Sequence, residues 1–280
     1  VPDEGMEIQD WLGVSFKPTT DEDTDAGGDG QDEQDCDIYA VGFQEIVDLN
    51  ATNLVADNNS AKRSHMWETK IASTLNSPER LARRRRLAER QGRGAASVER
   101  FVRVECQNLV GILFSVYARE SVARAMSRVA TGKLGCGILG VGGNKGGAAV
   151  RFSLHGATMC FVCSHLAAHQ KEIERRNADF HKLYDEIRLR APSSQLDNHT
   201  LSSTANDTSK EDGLDTASAA AATFVVPSAG RNEVFSVPDH DYVFWVGDLN
   251  YRIDHKVDMA KELIALGRET GDWSQLYAHD

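Results

Sequence analysis

Five short apolar runs limit what this chain can fold into: residues 38–43, 109–117, 148–154, 158–164 and 242–246. Most are near-continuously apolar rather than alternating, the pattern of strands covered on both faces. After residue 164 the period changes. Ile173, Phe180, Tyr184 and Ile187 fall on one side of a 3.6-residue helix, opposite Lys171, Glu174, Arg175, Lys182 and Glu186. A second helical pattern runs over about 257–266. Strands alternating with helices predict a layered α/β architecture. The 280 residues suffice for one large domain or two small ones, and no run approaches the roughly eighteen apolar residues of a membrane-spanning helix.

Three segments break the pattern. Residues 21–37 hold nine Asp or Glu and no Lys or Arg, with Gly27, Gly28 and Gly30; like charges repel and glycine adds chain entropy. Residues 80–103 contain Arg83, Arg84, Arg85 and Arg86, then Arg90, Arg93 and Arg100. That block reads either as a contact for anionic lipid or nucleic acid or as a solvated helix face beside Glu79 and Glu89. From residue 192 to about 234 the chain is rich in Ser, Thr, Ala, Asn and Asp without periodicity. The apolar segments between them are too short to fold alone, so flexible insertions over 19–37, 78–100 and 192–235 are expected within a single domain. The formal net charge of −11 disfavours wrapping of nucleic acid. Five cysteines, and no secretory-type leader at the start, point to a reducing, cytoplasmic setting. Cys160 and Cys163 resemble a metal pair, but on a strand they point to opposite faces.

The residues able to do chemistry stand where the apolar runs stop. The first run ends in Gln44 and Glu45, the fourth in Ser164 and His165, and the last in Gly247, Asp248, Leu249 and Asn250. Sites in layered α/β folds collect at strand ends, where a rigid sheet presents side chains to a cleft. Carboxylate and amide oxygens suit Mg²⁺, whereas Zn²⁺ would call for more His or Cys. In an extended segment Asp248 and Asn250 share a face, with Arg252 again on it, and the pair could hold a water against a phosphate. The run Gly140-Val141-Gly142-Gly143-Asn144-Lys145-Gly146-Gly147 lacks the spacing of an ATP loop. It reads either as a turn presenting N–H groups and Lys145 to an anion or as a structural turn.

Taken in order, Tyr39-Ala-Val-Gly-Phe-Gln-Glu-Ile-Val47, Gly143-Asn-Lys-Gly-Gly147, Phe161-Val-Cys-Ser-His-Leu-Ala-Ala-His169 and Phe244-Trp-Val-Gly-Asp-Leu-Asn-Tyr-Arg-Ile253 resemble the motifs of the inositol polyphosphate 5-phosphatases, synaptojanin and oculocerebrorenal types above all. Glu174-Arg-Arg-Asn177 and Leu276-Tyr-Ala-His-Asp280 match as well. The resemblance implies a four-layer α/β sandwich of the endonuclease/exonuclease/phosphatase (DNase I-like) type. It implies Mg²⁺-dependent removal of the 5-phosphate from phosphatidylinositol 4,5-bisphosphate and related inositides at a cytosolic membrane surface, with no nucleic acid partner. By motif Glu45 is the Mg²⁺ ligand, His165 binds the scissile phosphate, and Asp248 with Asn250 positions the attacking water. Asn144, Lys145, Arg176, Tyr251 and Arg252 are the head-group positions, and residues 137–140 are a candidate membrane contact.

The resemblance also has gaps. Such proteins begin with a Trp-Asn-x-Asn-Gly segment and continue to Trp-Thr-Asp-Arg and Ser-Asp-His motifs, which are absent here. The expectation is therefore a catalytic domain truncated at both ends. Two alternatives follow, a nuclease of the same superfamily and a catalytically incomplete module that binds inositides.

Overall fold

A computed structural model describes residues 2, 6–14, 36–47, 58–90, 92, 98–137, 145–191 and 226–279. Its centre is a pair of sheets. The first has strands β1 (Ile38–Phe43), β2 (Phe101–Leu109) and β3 (Ile112–Arg119) in the antiparallel order β1-β3-β2. The second joins β4 (Met126–Gly135), β5 (Gly146–Leu154), β6 (Ala157–His165) and β9 (Tyr242–Asp248) in that order. Its first three strands are antiparallel, while β6 and β9 run parallel. A small ladder pairs β7 (Arg188–Leu189) with β8 (Phe235–Ser236).

Period-two alternation explains how the sheets stack. Ile112, Phe114, Val116 and Ala118 point inward from β3 to meet Ala148, Val150 and Phe152 of β5 and Cys163 of β6. The intervening side chains face helices. Tyr39, Val41 and Tyr117 lie under Ile71 and Leu75 of α1 (Asn58–Leu75), and a short α3 (Glu120–Ala125) links β3 to β4. On the far side, Ala149, Cys160 and Val162 lie under Leu183 of α4 (Ile173–Glu186) and Ile187 after it. Helix, sheet, sheet and helix make the four expected layers, and Cys160 and Cys163 occupy different cores. Each fully buried Leu, Ile or Phe here contributes about 1.5–3 kcal/mol.

Several expectations need correction. The arginine-rich part of 78–100 is not a flexible insertion over its first half: α2 spans Pro78–Arg90. Ser77 caps it through Arg80 N–H, with proline at the favoured first position. Arg84 donates to the Leu75 and Glu99 carbonyls and lies 4.8 Å over the Phe101 ring, so the block is partly an anchor. In the third segment the described residues begin again at 226. Val226 is buried, Val129 N–H donates to Pro227, and Ala229 N–H returns to Val129. Residues 19–35 and 192–225 lie outside the described residues.

The apolar run 109–117 contains the β2–β3 turn at Val110 and Gly111. Strand β9 is not covered on both faces: Tyr242, Phe244 and Val246 are 54%, 45% and 41% exposed. Gly42 of β1 lies against Cys163 of β6, so β9 stands beyond the edge of the first sheet. The buried stripe of α4 is also rotated. Ile173 is exposed, whereas Arg176, Asp179 and Leu183 are buried.

Candidate active site

One edge of the sandwich gathers the ends of β1, β6 and β9. In the parallel β6–β9 pair, His165 stands opposite Asp248 and Ser164 opposite Gly247. The register is locked beyond the strands, where Leu166 N–H donates to the Asp248 carbonyl. Gly247 is required by its φ of +127° and by contact: a Cβ there would lie 2.0 Å from the Ser164 carbonyl oxygen. From the other sheet, Glu45 follows β1 with φ +57°, and Ile46 N–H donates to the Gly111 carbonyl. The Gln44 amide donates to Cys163 Sγ at 3.1 Å, tying β1 to β6.

His165 is buried, and its Nε2 is the focus of the site. It lies 3.3 Å from Asp248 Oδ2, 4.0 Å from Glu45 Oε1, and in hydrogen-bond contact with Lys145 Nζ. A protonated Nε2 donates to Asp248; an unprotonated one accepts from Lys145. Burial lowers the Lys145 pKa, opposed by the Asp248 and Glu45 carboxylates. Glu45 and Asp248 remain 66% and 47% exposed, so two anionic side chains reach solvent beside a buried imidazole and a desolvated amine.

Asn250 does not share an extended face with Asp248. The strand stops at Asp248, and Asn250 has φ +57°. Its N–H donates to Asp248 Oδ1, its Nδ2 donates to the Leu166 carbonyl, and its Oδ1 accepts from Arg252. The amide is thus engaged at both ends, bracing the His165 and Asp248 segments and holding Arg252. The turn wins over extension because the Asp248 carboxylate captures the Asn250 N–H.

Arg176 is not a head-group ligand in this arrangement. It is fully buried, and its guanidinium donates to the carbonyls of Ala167, His169 and Gln170. The ring of Tyr251 lies 5.2 Å from it, and the Tyr251 hydroxyl bonds to Asn177 Oδ1. Tyr251 is still 43% exposed. Asn144 and residues 138–140 lie outside the described residues. Sequence reasoning passed over Asp179, whose buried carboxylate accepts the Ala167 N–H, and Gln170, which donates to Ile253 O and Asp254 Oδ1. Hydrophobic periodicity carried no signal for Asp179 or for the burial of Arg176, because it counts both as solvent-facing.

The donor set suits a hard, largely hydrated divalent cation. Glu45 offers an exposed carboxylate, and Asp248 a second on the same rim. Among the described residues no three His, Cys, Asp or Glu side chains are placed to cage a metal.

The chain is similar to known proteins over most of its length. The type IV inositol polyphosphate 5-phosphatase 9 of Arabidopsis thaliana is 30% identical over the whole of this chain, which spans 54% of that protein. Synaptojanin-1 of Rattus norvegicus is 30% identical over 87% of this chain, corresponding to 11% of its own length. The chain thus spans about half the length, or less, of these relatives. The inositol polyphosphate 5-phosphatase domain of SPsynaptojanin, crystallised with inositol (1,4)-bisphosphate and calcium, superposes with a TM-score of 0.58 at 23% identity. The match covers 98% of this chain and 55% of that one, and it shows the shared DNase I-like fold. Residues 5–280 match the model of Endonuclease/Exonuclease/phosphatase family 2, and this chain belongs to that family.

Proposed function

We propose that this chain carries the site of a Mg²⁺-dependent phosphoinositide 5-phosphatase, acting on phosphatidylinositol 4,5-bisphosphate at the cytosolic surface of membranes. The reading is carried by one observation: Asp248 and Glu45, from different sheets, meet His165 Nε2 within 4.0 Å on an open rim. Relatives that are inositol polyphosphate 5-phosphatases support the substrate class.

Asp248 holds a water and accepts its proton as oxygen attacks phosphorus in line. The bond from phosphorus to the inositol oxygen breaks, and solvent protonates that oxygen. His165 and Lys145 donate to the phosphoryl oxygens as their charge grows. Asn250 keeps Asp248 and the His165 segment in register, and Arg252 and Tyr251 face the head group. Glu45 would hold Mg²⁺, which when bound would supply neutralisation of phosphoryl charge.

The test is phosphate release from vesicles containing phosphatidylinositol 4,5-bisphosphate, with product identification and with supercoiled plasmid assayed in parallel. Formation of the 4-monophosphate with intact plasmid supports the reading. Plasmid nicking without lipid turnover replaces it with a nuclease, and vesicle binding without turnover replaces it with a binding module.

A further inference from the structure

Helix α4 carries two buried polar residues one turn apart on a face otherwise made of Leu183 and its apolar neighbours. Burying a guanidinium and a carboxylate there is costly, because desolvation penalises both charges. Burial raises the Asp179 pKa accordingly. Apolar side chains would cover the sheet without that penalty, so the polar pair calls for another explanation.

Its partners supply one. Asp179 Oδ2 accepts the Ala167 N–H at 3.1 Å, and Arg176 donates to the carbonyl of the same residue at 3.3 Å. Arg176 also donates to the His169 and Gln170 carbonyls. The two side chains therefore grip both peptide groups of Ala167 and the carbonyls of His169 and Gln170, in a segment where His169 is held at φ +77°. The other side of this segment belongs to the site: Leu166 N–H donates to the Asp248 carbonyl, and Asn250 Nδ2 donates to the Leu166 carbonyl. Arg176 further underlies the Tyr251 ring, while Asn177 binds its hydroxyl.

We infer that Arg176 and Asp179 are positioning residues for phosphate hydrolysis, forming a clamp that fixes the 166–170 segment and through it the distance between His165 and Asp248. This rests on the phosphatase reading above. Neither side chain touches substrate. Their effect is on geometry, and misplacement of about 1 Å at a reacting group lowers turnover about 100-fold.

The variants Asp179→Ala, Asp179→Asn and Arg176→Lys separate this role from bulk stability. Asparagine keeps an oxygen for the Ala167 N–H, alanine does not, and lysine cannot reach three carbonyls with one fork. In the whole chain, D179A and R176K should lower kcat about 10- to 100-fold with KM within about twofold. D179N should recover kcat to within about threefold of the parent. Hydrogen exchange of the 166–170 amides should accelerate at least tenfold in D179A and return towards parental protection in D179N, while the β5 and β6 amides stay protected. Parental kcat in D179A and R176K, a change in KM alone, or failure of D179N to rescue overturns the clamp. If the parent chain releases no phosphate, the phosphatase reading falls. Exchange still decides the clamp, because unchanged 166–170 amides in D179A refute it without reference to activity.

Discussion

Replacing Gly247 by alanine forces a methyl group against the backbone of the neighbouring strand. The added Cβ would lie 2.0 Å from the Ser164 carbonyl oxygen, 2.8 Å from Ser164 N and 2.9 Å from its carbonyl carbon. These are main-chain atoms of β6, opposite Gly247 in the ladder, and no rotamer change relieves them. The φ of +127° adds strain of about 1–3 kcal/mol for a residue with a Cβ. Separating the strands enough to admit it loses one or two ladder hydrogen bonds at about 0.5–1.5 kcal/mol each. The expected destabilisation is therefore about 1.5–6 kcal/mol. Gly156 is the internal control, with φ +86° and nothing within 4 Å of a Cβ. It lies in the β5–β6 hairpin, at the end of the sheet away from His165, and Gly156→Ala should cost only the backbone strain, about 1–2 kcal/mol. Urea unfolding midpoints of the parent, G247A and G156A measure both. Folded G247A should also lose more than about 90% of its turnover, since the opened strand carries Asp248 away from His165. Equal destabilisation of the two variants, or full turnover in G247A, would refute the reasoning.

Two other predictions concern the outer layers. His240 Nε2 accepts from Arg151 at 3.0 Å while Nδ1 bonds the Val237 carbonyl, so the ring is neutral with its proton on Nδ1. Burial is the main cause of its lowered pKa, with Arg151 adding to it and the Val237 and Ser236 backbone and Asp239 opposing. Because the unfolded chain takes up the proton near pH 6.5 and the folded chain only at lower pH, this contribution is complete above about 6.5 and is lost as pH falls through the folded value. The urea midpoint should fall between about pH 7.5 and pH 5.5 by more in the parent than in His240→Gln, and equal pH slopes would show that His240 is not the titrating group. Leu183→Ala removes a fully buried side chain from the core under α4 and should cost about 2–5 kcal/mol by the same unfolding assay, with a loss below about 1 kcal/mol arguing against that packing.

Much of this fold is written in local pattern. The runs at 38–43, 148–154 and 158–164 become strands because apolar character on both faces leaves few other solutions, and each ends within about two residues of the expected point. Strand β4 and helix α1 escaped notice: Ser127, Arg128, Thr131 and Lys133 interrupt one, and sparse apolar residues mark the other. Both owe their order to tertiary partners. The site was legible wherever a strand end fixed a side chain, as at Glu45, His165 and Asp248. Where backbone leaves the strand it was not. Asn250 turns into the left-handed region, and Arg176 points into the protein because three loop carbonyls outcompete solvent for its guanidinium. Hydrophobic periodicity cannot register a buried arginine, so it rotated the predicted stripe of α4 towards Ile173.

The most direct test of the account is a Mg²⁺ titration of phosphate release from phosphatidylinositol 4,5-bisphosphate vesicles by the parent chain, Glu45→Gln and Asp248→Asn. Glu45 is 66% and Asp248 47% exposed, and asparagine keeps an Oδ1 for the Asn250 N–H, so folding should be preserved. The account predicts Mg²⁺-dependent release by the parent, a markedly raised Mg²⁺ requirement in E45Q, and turnover at least 100-fold lower in D248N at every Mg²⁺ concentration. Parental turnover in both variants, or release indifferent to Mg²⁺, would contradict it.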